Sequence, residues 1–426
     1  MDPTIVFNIV PKLLPTFMLG LVALVGLLLQ RKSSNEVISG TVKTMVGVLV
    51  LFAGVDILNN VISPISQLFG QVYTYEGTTF SSDWVGFLGN HGAQIVLIMV
   101  FGFLVNLLLA RITPLKYVFL TGHILFWNAY MVTAGLADAG KISGVALIVI
   151  GSIVLGIIST VLPALIARFV YRLTSSEDFS IGHTTTVHAF YGAYLGKLVG
   201  DASDSLEDME LPEGWSFLKS MTISTALIMF LLYLIMGFLA GPAWAAGEFS
   251  AGSQVLWYFW ILFQGLMFAA GLTVLLTGVR MMLAEIIPAF QGLAEKVVPD
   301  AVPALDCPMI FPYGQNSLAL GFPIAMITSL IAIVIFGVAG YPYMLLPLVV
   351  AAFFDVGPAV IIANQTGGRR GAFVTAAVGG VMLIVLQAIS LPFVSNTAAG
   401  FINLFGGNDF SVIAIVVRGI AQIFGF

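Results

Sequence analysis

Residues 145–167, VALIVIGSIVLGIISTVLPALIA, run for more than twenty positions without a charged side chain. A helix of about 20 apolar residues crosses a hydrocarbon core about 30 Å thick, so this stretch ties the chain to a membrane. Further runs of the same kind lie near 11–30, 43–62, 92–110, 115–137, 220–241, 255–279, 318–341, 343–363, 371–397 and 410–425. In hydrocarbon every backbone N–H and C=O must be satisfied within protein, which leaves helices or a closed barrel. The runs are too long and too continuously apolar for the alternating ten-residue strands of a barrel. The expected fold is an all-α integral membrane protein with about eleven transmembrane helices plus re-entrant or broken-helix segments. Composition agrees, since 59% of the 426 residues are hydrophobic and 9% are charged, a balance foreign to soluble domains.

Loop charges orient the spans. Arg31, Lys32, Lys43, Arg111, Lys116, Arg168, Arg172, Arg369 and Arg370 share one side if the spans alternate, whereas loops 63–91 and 398–409 hold no Lys or Arg. Positive charge stays inside, which predicts an outside N-terminus and a cytoplasmic C-terminus. The start, MDPTIVFNIVPKLLPTFMLG, lacks a basic leader and a small-residue cleavage site and reads as a retained first span. Segment 280–300, RMMLAEIIPAFQGLAEKVVPD, suits an interfacial or protein-packed helix better than a lipid-exposed one. A single cysteine, Cys307, excludes an internal disulfide and a thiolate-rich metal site. The scattered basic residues form no patch for nucleic acid.

A faint duplication links GTVKTMVGVLVLFAG from Gly40 with TGVRMMLAEIIPAFQG from Thr277. Two related halves, with a solute site near the midplane at broken helices, would give that match a meaning. Three interruptions of the apolar pattern carry titratable groups: LTGHILFWN (120–128), DFSIGHTTTVHAFYGAYLG from Asp178, and PALDCPMIFPYGQNSLALGF (303–322). Ionisable groups at membrane depth cost a few kcal/mol on insertion scales and face a partner or a watery cavity. His123 is either a hydrogen-bonded packing histidine or a ligand-site residue beside Gly122. His183 begins a turn whose backbone N–H groups suit an anion. His188 reads as structural. Asp306, between Pro303 and Pro308, needs a donor or a proton. Asp56 and Asp355 read as either proton-relay groups or polar contacts between helices. The acid-rich run DASDSLEDMELPE (201–213) reads as a solvated cytoplasmic loop, with partner docking as the alternative.

Catalytic signatures are missing: there is no Walker loop, Rossmann glycine fingerprint, HExxH or GxSxG. His183 and His188, five apart, do not share a helical face. No metal site, cofactor or catalytic residue is expected from these spacings.

The motifs LTGHILF, FSIGH, SLEDMELPEGW, TGVRMMLAE with AFQG, AVPALDCPMIFPYGQNSLALGF and IIANQTGGRRGAF follow one another along the chain. Together they resemble the membrane component, enzyme IIC, of the ascorbate family of the sugar phosphotransferase system (PTS), over roughly residues 15–425. The resemblance implies a homodimer in the bacterial inner (cytoplasmic) membrane. Each protomer would have eleven spans, divided into a scaffold (V-motif) and a core that moves like an elevator. On this chain the dimerising scaffold falls at 1–70 with 215–300, and the core at 71–214 with 301–426. The partners implied are L-ascorbate or a similar polar solute, the soluble IIB and IIA components fed by HPr and enzyme I, and the lipid bilayer. Whether the chain counts as an enzyme is left open, because the resemblance puts phosphoryl chemistry on a IIB cysteine and makes Cys307 a packing residue.

The family's ascorbate contacts carry over to His123 in TGHI, His183 in FSIGH and Asp306 in ALDC, and a Thr-aromatic pair falls at Thr79 and Phe80. Two positions depart from the pattern, Trp127 and Thr184 standing where the family has glutamines. Each lost amide removes hydrogen bonds worth about 0.5–1.5 kcal/mol net, while an indole offers a stacking face and one N–H. Asp56 is an acid extra to the pattern. The substrate-binding set is thus His123, Trp127, His183, Thr184 and Asp306, with Thr79, Phe80 and Asp56 as outer candidates. Ascorbate, or a related sugar acid or polyol, is the expected solute. The alternative is a proton-coupled secondary transporter of a polar anion.

Overall fold

The structure is a computed structural model that describes residues 16–17, 20–21, 23–72, 84–210 and 220–423. After a helical stretch over 23–29, the long helices are α1 (Ser34–Val72), α2 (Trp84–Ile112), α4 (Gly144–Thr174), α6 (Met221–Ala240), α8 (Gln254–Val297), α9 (Gln315–Val338) and α10 (Gly357–Ser390). Shorter helices are α3 (Gly122–Asp138), α5 (Thr186–Val199), α7 (Pro242–Ser250), α11 (Ala399–Phe405) and α12 (Asp409–Ile423). Among the described residues seven helical runs are long and apolar enough to cross a membrane. The chain is a helical integral membrane protein.

That number differs from the eleven expected spans for identifiable reasons. The run from Val349 to Val394 counts once among the seven but comprises two helices that meet at the non-helical Gly367 and Gly368 and fold back on each other, with Val356 against Gly379 and Ala363 against Gly371, in keeping with separate spans over 343–363 and 371–397. Run 115–137 is not one helix. It opens with strand β1 (Tyr117–Phe119), and α3 behind it is only 17 residues long, about 26 Å at 1.5 Å per residue. The 15 residues of α12 reach about 22 Å. Most of 11–20 lies outside the described residues. Segment 280–300 continues α8, whose 44 residues form one helix from Gln254 to Val297. Glu285 on it meets Lys43 of α1 at 3.4 Å.

The helices fall into two packing groups. Helices α1, α6, α7 and α8 pack on one another, and α2–α5 with α9–α12 pack on one another. Sparse contacts of α8 with α2 and α3, and of α6 with α9, join the groups. Helices α1 and α8 run antiparallel, since Ile57, Gly54 and Leu51 face Gly271, Leu275 and Gly278 in turn. Those two helices carry the duplicated segments from Gly40 and Thr277. Their glycines let backbones touch, which is how helices associate in lipid without a hydrophobic drive.

The second group contains a device the apolar pattern did not reveal. Strands β1, β2 (Ser180–Ile181) and β3 (Val302–Leu305) form a parallel sheet in the order β1-β3-β2. Phe119 and Ser180 both pair with Ala304, and Ile181 pairs with Leu305. A sheet edge in a membrane protein needs partners for its open backbone groups. The buried Asn106 of α2 supplies them for β1: its Nδ2 donates to Tyr117 O at 3.0 Å and its Oδ1 accepts from Phe119 N at 3.0 Å. On the other side Ser180 Oγ donates to Pro163 O of α4 at 2.8 Å. Gly182 follows β2 because a Cβ there would lie 2.9 Å from Ala304 O.

The acid-rich run is not the freely solvated loop expected. Asp201 to Asp204 are exposed, but Leu206 is fully buried and Ser205, Glu207 and Met209 are partly buried. Glu207 accepts from Asn316 N, Ser317 N and Ser317 Oγ at 2.9, 2.8 and 2.7 Å, so its carboxylate caps the start of α9. An anion there also meets the positive end of the helix dipole. Asn316 Nδ2 donates to Leu206 O and Met209 O, and Asn364 Oδ1 accepts from Leu206 N. Arg369 N donates to Asp204 O at 2.7 Å just after the break in α10. At that break Gly368 has φ +57°, and a Cβ would lie 2.1 Å from Asp201 O. Residues 204–209 therefore strap α9 to α10, with side chains that are charged but largely engaged.

Candidate functional site

Each strand of the small sheet delivers one titratable side chain at its carboxyl end. Behind β1 comes His123, in the first turn of α3. Behind β2 and Gly182 comes His183, and directly after β3 comes Asp306. The backbone bonds Leu120 N to Ala304 O (3.0 Å) and Gly182 N to Leu305 O (2.7 Å) hold the three exits in register. Parallel strands place ligands beyond their carboxyl ends for the same reason in α/β sheets: the chain leaves the ladder there with side chains and backbone groups free to converge.

The three converge on one cavity. Asp306 Oδ2 stands 3.9 Å from His123 Nε2, and its Oδ1 stands 3.7 Å from His183 Nε2. Both separations exceed a hydrogen bond. Asp306 Oδ1 accepts instead from Cys307 N at 2.8 Å, capping the 3₁₀ turn Cys307–Tyr313. Cys307 itself is fully buried, as a packing residue would be. His123 Nδ1 is buried without a hydrogen-bond partner.

His183 is held more firmly, by Asp355, a buried acid that the apolar pattern alone makes either a relay group or an interhelical contact. Its Nδ1 lies 3.2 Å from Asp355 Oδ1 and 3.2 Å from Thr184 Oγ1. Thr184 Oγ1 also donates to Asp355 Oδ1 at 2.5 Å, and Asn408 Nδ2 donates to Asp355 Oδ2 at 2.6 Å. With the Thr184 proton committed to Asp355, the network assigns a proton to His183 Nδ1 and leaves Nε2 facing Asp306. Asp355 is 2% exposed and sits in a π-helical turn, Ala352–Val356, just before Gly357 and Pro358. Such turns often mark functional positions. The signal available in the sequence was an acid two residues ahead of Gly-Pro inside an apolar run.

Adjacent segments lock this arrangement. Asp409 accepts from Thr186 N and Val187 N at 3.1 and 2.8 Å, capping α5, and Thr185 Oγ1 donates to Asp355 O. His188 has both ring nitrogens engaged, at 2.7 Å from Tyr191 OH and 2.8 Å from Gly407 O, which leaves none for a ligand.

An aromatic wall completes the cavity. Trp127 packs 5.0 Å from Phe401 and edge-on to Trp84 and Tyr130, and Phe354, Phe405 and Phe410 also line the space. Leu51 of α1 and Leu275 and Leu276 of α8 close it from the other packing group, so the cavity lies between the two groups. Of the residues singled out from sequence, His123, Trp127, His183, Thr184 and Asp306 all line it. Asp56 lies on α1 with its side chain exposed and is not part of this lining. Thr79 and Phe80 fall outside the described residues.

Comparison with known proteins gives these features a class. A family model described as the PTS system sugar-specific permease component (EIIC-GAT) matches residues 8–409, and the chain belongs to that family. Among curated proteins, it is 26% identical over 432 positions to the ascorbate-specific PTS system EIIC component of Mycoplasma pneumoniae (strain ATCC 29342 / M129 / Subtype 1). That match covers 90% of this chain and 66% of the relative, so the chain spans just under two thirds of the relative's length.

Proposed function

We propose that this chain is the translocating IIC subunit of a phosphoenolpyruvate-dependent sugar phosphotransferase system and that it takes up L-ascorbate or a related sugar acid or polyol. The observation that carries the reading is the convergence of His123, His183 and Asp306, from three strand ends, on one cavity beside an aromatic wall. A hydroxyl-rich anion fits that chemistry. His183 Nε2 accepts from one hydroxyl, or donates when the ring is protonated, and His123 contributes a second imidazole. Asp306 accepts from further hydroxyls, and Trp127 offers a flat face for the ring. Thr184 takes the place of a family glutamine, but its hydroxyl is directed at Asp355. The likeness to the ascorbate-specific relative supports the solute assignment.

The two packing groups serve as scaffold and core in this reading, residues 1–70 with 215–300 against 71–214 with 301–426. The cavity lies at their boundary, where sliding of the core exposes the solute to either side. The chain works as a homodimer of eleven-span protomers in the bacterial inner membrane, with its N-terminus outside and its C-terminus in the cytoplasm. Soluble IIB, charged through IIA, phosphorylates the arriving solute.

Uptake of labelled ascorbate and a panel of polyols into vesicles tests this, with and without phosphoenolpyruvate and the soluble partners. Phosphorylated product that forms only with the partners is expected. Accumulation of unmodified solute driven by a pH gradient would replace this reading with a proton-coupled carrier.

A further inference from the structure

We propose that the surface formed by α4 and α5 around Arg168 binds the headgroup of a phospholipid with net negative charge. The exposed side of α4 sets the place. Val145, Val149, Ile153, Ile157, Val161 and Leu165 are all exposed, and steps of four residues trace a single ridge along a helix. From Val145 to Leu165 that ridge rises about 30 Å at 1.5 Å per residue, the thickness of a hydrocarbon core. Arg168 and Arg172, both exposed, continue from Leu165 at steps of three and seven on the same side. They therefore stand at headgroup level, just past the apolar ridge.

The chemistry at that level is cationic and aromatic. Arg168 Nη2 donates to Tyr194 OH of α5, and its guanidinium lies over the rings of Phe169 and Tyr194, 4.6 and 5.3 Å from their centroids. Stacking of that kind holds a flat fork whose remaining N–H groups suit phosphate oxygens. Arg172 stands one turn beyond Arg168 on α4, and the exposed Lys197 stands one turn beyond Tyr194 on α5. Among the described residues, Lys32, Lys43 and Arg369 pair with carboxylates at 3.1–3.8 Å, whereas Arg168, Arg172 and Lys197 do not. Three cations, each within about one turn of the Arg168–Tyr194 contact, are thus left for an outside anion.

Position and charge together name the occupant. Tyr194 is exposed where it meets Arg168, and the exposed Phe190 packs edge-on against it at 5.1 Å. A free anion would use the cations alone, while a lipid uses the cations and the apolar surface below them. Basic sites between helices at a membrane surface recognise anionic headgroups, each cation raising the affinity about fivefold. None of these residues lines the solute cavity, so the inference stands apart from the uptake reading.

The test uses the full chain in detergent with equal amounts of phosphatidylglycerol and phosphatidylcholine, and native mass spectrometry reads which lipid stays bound. Retention of phosphatidylglycerol about tenfold or more above phosphatidylcholine is expected, weakening as salt rises. Arg172→Gln lowers that preference about fivefold, and it should keep the fold because this side chain makes no hydrogen bond or ion pair among the described residues. The combined Arg168→Gln, Arg172→Gln and Lys197→Gln protein loses the preference, while Lys43→Gln, a paired cation on α1, leaves it unchanged. No preference in the wild type, or undiminished preference in folded Arg172→Gln and in the folded triple variant, overturns the proposal. Inorganic phosphate that displaces phosphatidylglycerol at equal concentration also overturns it, because an anion without acyl chains would then account for the binding. The readout is lipid binding alone, so this test and the uptake assay fail independently.

Discussion

Asp306 and Glu207 are two carboxylates in motif-rich segments, and the fold uses them in opposite ways. Glu207 accepts three hydrogen bonds of 2.7–2.9 Å from the start of α9. Asp306 accepts from its neighbour Cys307 N and stands beyond bonding distance of the two histidines it faces. The Glu207 carboxylate of the strap is fully engaged and the Asp306 carboxylate of the strand-end cluster is not. An acid whose lone pairs are engaged by backbone N–H groups holds structure together, while one facing imidazoles across 3.7–3.9 Å of cavity is available to a ligand.

The sharpest way to break that contrast is to remove one member of each region. His183→Ala should lower solute affinity at least 100-fold while the protein still elutes as folded, because charge-assisted hydrogen bonds are worth about 1.5–3 kcal/mol each and the Asp355 pairing is lost with them. Solute binding measured by calorimetry checks this, and unchanged affinity would remove His183 from the site. Glu207→Ala should do the reverse. It leaves two helix N–H groups and the Ser317 hydroxyl without their partner, so a loss of about 2–3 kcal/mol is expected in thermal or denaturant unfolding, with solute affinity preserved. A Glu207→Ala protein of normal stability that no longer binds solute would erase the distinction between the two regions.

Smaller effects sharpen it. Asp355→Asn keeps a hydrogen-bonding side chain but weakens the orientation of His183, and about a tenfold loss of solute affinity is expected. Trp127→Gln restores the family's amide and removes a stacking face, trading terms of about 1 kcal/mol, so ascorbate and polyol affinities should shift several-fold relative to one another. Equal shifts for all solutes would show that Trp127 does not set preference. Asp56→Asn, on an exposed position of α1 outside the cavity, should change affinity by less than twofold in the same assay.

Much of this organisation was legible in the chain. Apolar run lengths marked most of the long helices, because span length follows directly from bilayer thickness. The breaks at TGH, FSIGH and ALDC stood out since glycine, proline and titratable groups interrupt otherwise continuous hydrophobicity. Run 115–137 was misread because the three residues of β1, Tyr-Val-Phe, are as apolar as a helix, and periodicity cannot separate short apolar strands from buried helix. The acid-rich loop was misread for a related reason. Charge density argues for solvent, yet Asn316, Asn364 and Arg369, which dock it, lie more than a hundred residues downstream. Asp355 looked like one of several intramembrane acids until Thr184 and Asn408 were brought to it.

By itself the sequence determined that this chain is a helical membrane protein, where its helices break, and which histidines and acids stand at the breaks. Those properties are local: they depend on apolar run length and on the backbone preferences of glycine and proline. Tertiary structure decided which of the polar groups are engaged and which face open space. Hydrogen-bond satisfaction depends on partners distant in the chain, and a three-stranded sheet assembled from residues 117–119, 180–181 and 302–305 sets what His123, His183 and Asp306 can reach.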